Sequence, residues 1–161
     1  MNPNMSAIPT LEEFLHLPTS AVRELVYPHQ WSISLLLNGT RRWYIAEHLD
    51  SPPTDNRYFA PYMQTVLSEL GNLITLLAEH GLYRIFLPVY SWYQPQRNPE
   101  AHQYLLKGIA ALTDYPQLIE SYALNDAAIH FYGSMTDLPE SLTSVLRAPT
   151  QVYGKEARHH V

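Results

Sequence analysis

Asn38, Gly39, Thr40, Arg41 and Arg42 form a polar turn between the apolar run 34–37 and Trp43. Glycine lets the backbone approach a ligand closely, and free N–H groups at a following helix start favour an anion. Two arginines add planar forks of donors that match phosphate oxygens in pairs. A diphosphate is the natural guest of such a turn. The plain alternative is a solvated strand-to-helix turn with surface arginines, and spacing alone favours it, because short motifs carry little information.

Two further stretches have functional chemistry. Tyr90, Trp92 and Tyr93 stand together in "YSWYQPQR". Their rings could line an apolar pocket or stabilise a carbocation through their π-faces. Packing is the plainer role, since aromatics dominate cores. In "HFYGSMTDLP", Gly133 permits close backbone approach, and Ser134 or Thr136 could donate to a phosphate. Asp137 could equally cap a helix, and a capped turn is the favoured reading there.

Several chemistries are excluded. With no cysteine among 161 residues, disulfides, thiolate metal sites and cysteine nucleophiles are impossible. The eight histidines make no metal-ligand spacing, so no protein metal ligands are assigned, and His159-His160 read as surface residues of an unfinished strand. There is no Gly-x-Ser-x-Gly elbow, no Gly-x-Gly-x-x-Gly and no P-loop. A net charge of -5 argues against a general nucleic-acid surface. At 46% hydrophobic residues the chain can fill a core. "MNPNMSAIPT" has neither the basic patch nor the apolar core of a signal peptide, and no apolar run approaches the roughly 18 residues of a membrane span. The expectation is a cytoplasmic protein.

These residues need elements to position them. Residues 1–9 read as a flexible tail and 10–161 as one α/β domain. Thr10 and Glu13 form a capping box for a short helix, which Pro18 ends before "TSAVRELV" starts another. "WSISLLL", "YRIFLPVY" and "AAIHFYG" read as strands. "RRWYIAEHL", 59–80, "EAHQYLLKGIAALTD" behind an Asn98-Pro99 cap, "YPQLIESYAL" and "DLPESLTSVL" read as helices. The strongest is 59–80, where Phe59, Met63, Val66, Leu67, Leu70, Leu73, Ile74 and Leu77 make one stripe. Pro61 suits its first turn and Gly81 its stop. The alternation predicts a mostly parallel open sheet with helices on both faces, its ligands at the carboxyl ends of the strands. Loops 38–42, 91–97 and 133–137 should converge there.

"LLLNGTRRW" resembles the first signature of the cis-prenyltransferases, a strand followed by Asp-Gly-Asn or Asp-Gly-Thr with an arginine soon after. It looks closer still to the branch of tuberculosinol synthases (tuberculosinyl adenosine transferases) and kolavelool-type diterpene synthases, where the stretch reads Asp-Gly-Thr-Arg-Arg-Trp. "EEFLHLPTSAV", "EHGLYRIFLPVYS" and "IHFYGSMTDLP" resemble that branch in order and spacing, from about Leu11 onward. The resemblance implies an undecaprenyl-diphosphate-synthase-like fold that binds a diterpenyl diphosphate, promotes diphosphate departure and quenches the allylic cation with water or another nucleophile. It implies that Gly39, Thr40, Arg41 and Arg42 cradle the diphosphate, with Arg41 and Arg42 neutralising charge on the leaving group, and that Tyr90, Trp92 and Tyr93 sit near the hydrocarbon; Asn38, Arg41 and Arg42 are the candidate catalytic residues, and Gly133 and Ser134 remain candidate substrate-binding residues from their own turn.

Three departures bear on activity. Asn38 stands where the family has aspartate, keeping a carbonyl acceptor but losing the charge that would hold Mg²⁺ or move a proton. Mg²⁺ is therefore implied by resemblance and weakened by Asn38. Ser134 stands where an acid is usual. Family members run far beyond 161 residues, so the expectation is an incomplete fold that ends where a further strand begins. Such a chain would work as a homodimer or with a complementing second chain. The alternative reading is a non-catalytic prenyl-diphosphate-binding subunit.

Overall fold

The structure is a computed structural model, in which residues 9–51, 53, 55, 57–91, 96, 99–136, 138–147, 151–153 and 156–161 are described. Trp92 and Tyr93, Asn98, Asp137 and nearly all of the 1–9 segment lie outside them. Seven α-helices occur among the described residues, with a 3-10 turn at Tyr27–His29: α1 (Leu11–Leu15), α2 (Thr19–Val26), α3 (Thr40–His48), α4 (Phe59–Glu79), α5 (Pro99–Ala111), α6 (Pro116–Leu124) and α7 (Glu140–Leu146). Five strands make one sheet: β1 (Ser32–Ser34), β2 (Arg84–Phe86), β3 (Ala127–Ile129), β4 (Gln151–Val152) and β5 (His159–His160). Their order is β1-β2-β5-β3-β4, with β4 antiparallel to β3 and the other pairs parallel.

The local signals act as the sequence requires. Thr10 and Glu13 close the capping box of α1, and these hydrogen bonds hold the Glu13 carboxyl below its usual range. The stripe of α4 buries Leu67, Leu70 and Ile74 against Ile85, Leu118, Ala127 and Ile129. Burial of each large aliphatic side chain contributes roughly 1.5–3 kcal/mol before entropy is counted. Gly81 follows α4 at φ +89, and a Cβ there would lie 3.0 Å from both the Arg23 carbonyl oxygen and the Tyr27 nitrogen. Glycine is thus needed both for the left-handed turn and for the approach of α2.

Among the described residues, helices pack on one face of the sheet, not on both. Ile33, Ile85, Val161, Ala127 and Ile129 face the α4–α6 layer. The opposite face presents exposed Ser32, Ser34, Arg84, Phe86, His130 and Val152, with half-buried His160 and buried Ala128 at its centre. The topology explains the difference. From β1 to β2 to β3 the chain advances in one direction across the sheet, so right-handed crossovers lay α4, α5 and α6 on the same side. Its backward step, from β4 to β5, runs through residues 153–158, too few for a crossover helix.

The strands are shorter than the apolar runs that predict them. Leu36, Leu37, Pro88 and Val89 continue beyond β1 and β2 and line a cavity. His159 and His160 are not surface residues of an unfinished strand. They form β5 between β2 and β3, with His160 N–H donating to the Tyr83 carbonyl at 3.0 Å and Val161 N–H to that of Ala128 at 2.9 Å. His159 is 2% exposed, and its Nδ1 lies 2.7 Å from the Leu82 carbonyl oxygen. Burial pushes its pKa down from the ordinary histidine value, with Arg23 and Arg158 adding to the effect. Polarity disguised this pair as surface, because the partner for a buried imidazole is far away in sequence.

Candidate functional site

A cavity of about 640 Å³ opens at the carboxyl ends of β1 and β2, a volume within the usual range for small-molecule sites. Its floor is the turn from Leu36 to Arg42, and Ile45, Phe59, Tyr62, Met63, Tyr90, His102, Tyr104 and Leu105 contribute to its walls. Gly39 precedes α3 at φ +84, and no side chain caps that helix. The first-turn N–H groups therefore face the cavity end of α3 with the positive end of the helix dipole behind them.

Each residue of the turn has a definite place. Thr40 Oγ1 lies 2.9 Å from the Tyr62 hydroxyl, which ties α3 to α4. The Arg41 guanidinium sits 5.4 Å from the Phe59 ring centre and 5.7 Å from that of Tyr58. Stacking on an aromatic face holds a planar cation without neutralising it. Arg42 folds back toward Gly39, where a Cβ would stand 3.6 Å from one of its terminal nitrogens. Among the described residues, neither arginine has a carboxylate within 4 Å. Two cations and an uncapped helix start thus converge on one wall, an arrangement suited to a polyanion such as diphosphate. Asn38 lines the same wall as a neutral amide.

An aromatic wall adjoins the arginines. Phe59 stacks on Tyr104 with centroids 4.7 Å apart and planes at 9°, and Tyr62 meets Phe59 edge-on at 6.1 Å. Phe59 and Met63 read as core stripe in the sequence, and Tyr104 and His102 as ordinary helix residues. Their signal was positional: they sit in the first two turns of α4 and α5, the helix ends nearest the strand carboxyl termini. His102 Nε2 lies 3.1 Å from the Tyr90 hydroxyl, and both line the cavity.

Not every residue singled out in the sequence arrives here. Asn38, Gly39, Thr40, Arg41, Arg42 and Tyr90 are brought together, while Trp92 and Tyr93 lie outside the described residues. Gly133 and Ser134 do not line the cavity; both are exposed, and Ser134 Oγ bonds the Thr136 hydroxyl at 2.6 Å. The loop after β3 reaches the neighbourhood through Met135 and Leu138, which pack against Ile109, Leu142 and Leu146 beside Val89 and Tyr90.

The donor set does not suit a protein-held Mg²⁺. That ion prefers carboxylate oxygens in octahedral array, and the described cavity lining offers only the neutral oxygens of Asn38, Thr40, Ser91 and the tyrosines. No group of three potential ligands from His, Asp or Glu occurs among the described residues. No helix there is long and apolar enough to cross a membrane.

Fold and site together define an α/β protein with a basic, aromatic-walled ligand cavity at the carboxyl end of a mostly parallel sheet. The chain is similar to the tuberculosinyl adenosine transferase of Mycobacterium tuberculosis (strain CDC 1551 / Oshkosh), at 28% identity over 123 residues. The match takes in 76% of this chain and 39% of that protein, and supports a distant relationship to its family. No family model matches the chain.

Proposed function

We propose that the protein binds a diterpenyl diphosphate and acts in the manner of a diterpene synthase or diterpenyl transferase on a cis-prenyltransferase-like fold. The observation that carries this reading is the pairing of Arg41 and Arg42, at an uncapped helix start, with an aromatic wall across one cavity. The diphosphate lies on the arginines and the α3 N–H groups, and the hydrocarbon lies along Phe59, Tyr62, Tyr104 and Tyr90. Charge that develops on the leaving diphosphate is met by donors already in place, which lowers the barrier to C–O cleavage. The aromatic faces then stabilise the allylic cation until a nucleophile arrives. The distant similarity to a tuberculosinyl adenosine transferase supports the terpenoid direction.

With Asn38 in the cavity wall, the arginines carry the neutralising role. Mg²⁺ enters, if at all, as a complex with the diphosphate. The test is incubation with halimadienyl, kolavenyl and geranylgeranyl diphosphates, with and without Mg²⁺. Diphosphate release is expected, and release from none of them, also by Asn38→Asp, would sink the enzymatic reading. A binding subunit without turnover is favoured by one observation, the lack of a carboxylate in the described cavity lining. That reading expects tight pyrophosphate binding, no release, and association with a second copy or a second chain, which size measurement on mixing would detect.

A further inference from the structure

We infer that Tyr90 and His102 form the proton acceptor of this cavity, so that water quenches the allylic cation here without a carboxylate. The inference rests on the proposed function and assigns a step that Asn38 cannot perform. When water adds to a cation, a proton must leave the new oxygen. Among the described residues, the ionisable groups lining the cavity are Arg41 and Arg42 from α3, Tyr62 from α4, Tyr90 after β2, and His102 and Tyr104 from α5. Glu100 and Lys107 share α5 but do not line the cavity, Lys107 lying over the Tyr104 ring. Arginine cannot accept a proton, and neutral tyrosine is a poor base. Imidazole is the one group of that set whose ordinary basicity lies near neutral pH.

The geometry places the imidazole behind a hydroxyl that can reach the nucleophile. Tyr90 is half-buried, and its ring packs beside Ile109, Leu142 and Leu146. Its hydroxyl is 3.1 Å from His102 Nε2, within hydrogen-bond reach, and the two rings lie 6.0 Å apart. His102 comes from the start of α5 and Tyr90 from the end of the β2 segment, so two elements fix the pair at the strand carboxyl ends.

The step balances as follows. The C–O bond to diphosphate breaks, and its electron pair leaves with the diphosphate. A lone pair of the water oxygen forms the new C–O bond. The O–H bond of that water breaks with its pair retained by the product oxygen. The proton passes to the Tyr90 oxygen while the Tyr90 proton passes to His102 Nε2. The products are an alcohol, diphosphate and an imidazolium, which returns its proton to solvent. Tyr90 touches the nucleophile, and His102 acts through it. The scheme requires His102 to rest as the tautomer with its proton on Nδ1, leaving Nε2 to accept from Tyr90.

The test uses the intact chain with geranylgeranyl diphosphate, and with inorganic pyrophosphate as the binding probe. His102→Gln and Tyr90→Phe should each slow alcohol formation about 10²-fold. Pyrophosphate affinity should stay within about twofold, because neither group holds the anion. Nitrogen NMR should find the neutral His102 imidazole carrying its proton on Nδ1. An unchanged rate of alcohol formation in His102→Gln, or a proton resident on Nε2, overturns the step while the proposed function stands. A wild-type chain that neither binds pyrophosphate nor releases diphosphate overturns both.

Discussion

The turns after β1 and β3 look alike in sequence: an apolar run, then a glycine, then a hydroxyl residue. Gly39 and Gly133 both adopt positive φ, +84 and +116. Their fates differ. Gly39 leads directly into α3, whose start faces Arg41, Arg42 and walls contributed by α4 and α5. Gly133 leads into an exposed segment where a Cβ would meet nothing within 4 Å, and α7 begins only at Glu140. A glycine turn comes to line a cavity when a helix begins at once and neighbouring helix ends close over it. Without those walls it is a solvated bend.

The sharpest way to break this comparison is to remove charge. Arg41→Ala and Arg42→Ala should each weaken pyrophosphate binding by about 1.5–3 kcal/mol, roughly 10- to 150-fold. Ser134→Ala should leave it unchanged within calorimetric error. Equal affinity in all three variants would show that the arginines are merely solvated.

Gly39→Ala and Gly133→Ala separate strain from function. Each forces a non-glycine residue into a left-handed conformation at a cost of about 1–3 kcal/mol, read from denaturant midpoints. Only Gly39→Ala should also weaken pyrophosphate binding, because it disturbs the approach to α3. Loss of affinity in Gly133→Ala would bring the β3 turn back to the site.

A third prediction concerns the sheet centre that supports both turns. Burial holds the pKa values of His159 and His160 below that of an exposed histidine, so over that window the unfolded chain binds more protons than the folded one. The stability they contribute is fully present above the unfolded value, near 6.5, and is lost as pH falls through the folded values. Melting temperature should therefore drop on acidification below about pH 6.5, and His159→Gln should reduce the slope. A melting temperature flat from pH 7 to 5 would contradict the burial of His159.

The smallest effect is expected at Tyr58, behind Arg41. Its hydroxyl is buried with no hydrogen-bond partner among the described residues. Tyr58→Phe removes that unsatisfied group and keeps the ring against Arg41. Stability should hold or rise by up to about 1 kcal/mol, with pyrophosphate affinity unchanged. A clear loss of stability would reveal a partner for the hydroxyl.

Local signals made part of this legible. The stripe from Phe59 to Leu77, the stop at Gly81 and the glycine turn into a helix at 38–42 each depend on neighbours a few residues away, and each stands where the pattern puts it. The short strand β4 was missed, because two residues carry no period to detect. His102 was missed because nothing within α5 distinguishes it from a surface histidine. Its significance lies in Tyr90, which arrives from the other side of the cavity.

The sequence by itself determined the alternating α/β elements, the charge at Arg41 and Arg42, and the neutral amide at Asn38 beside them. These are properties of residue type and short spacing. Tertiary structure alone decided that helices cover one face, that His159 and His160 thread the sheet centre, that Gly133 and Ser134 stand apart, and that Phe59, Tyr104 and His102 face the arginines. Those outcomes follow from the direction of the chain across the sheet and from contacts between distant residues, which no local period encodes.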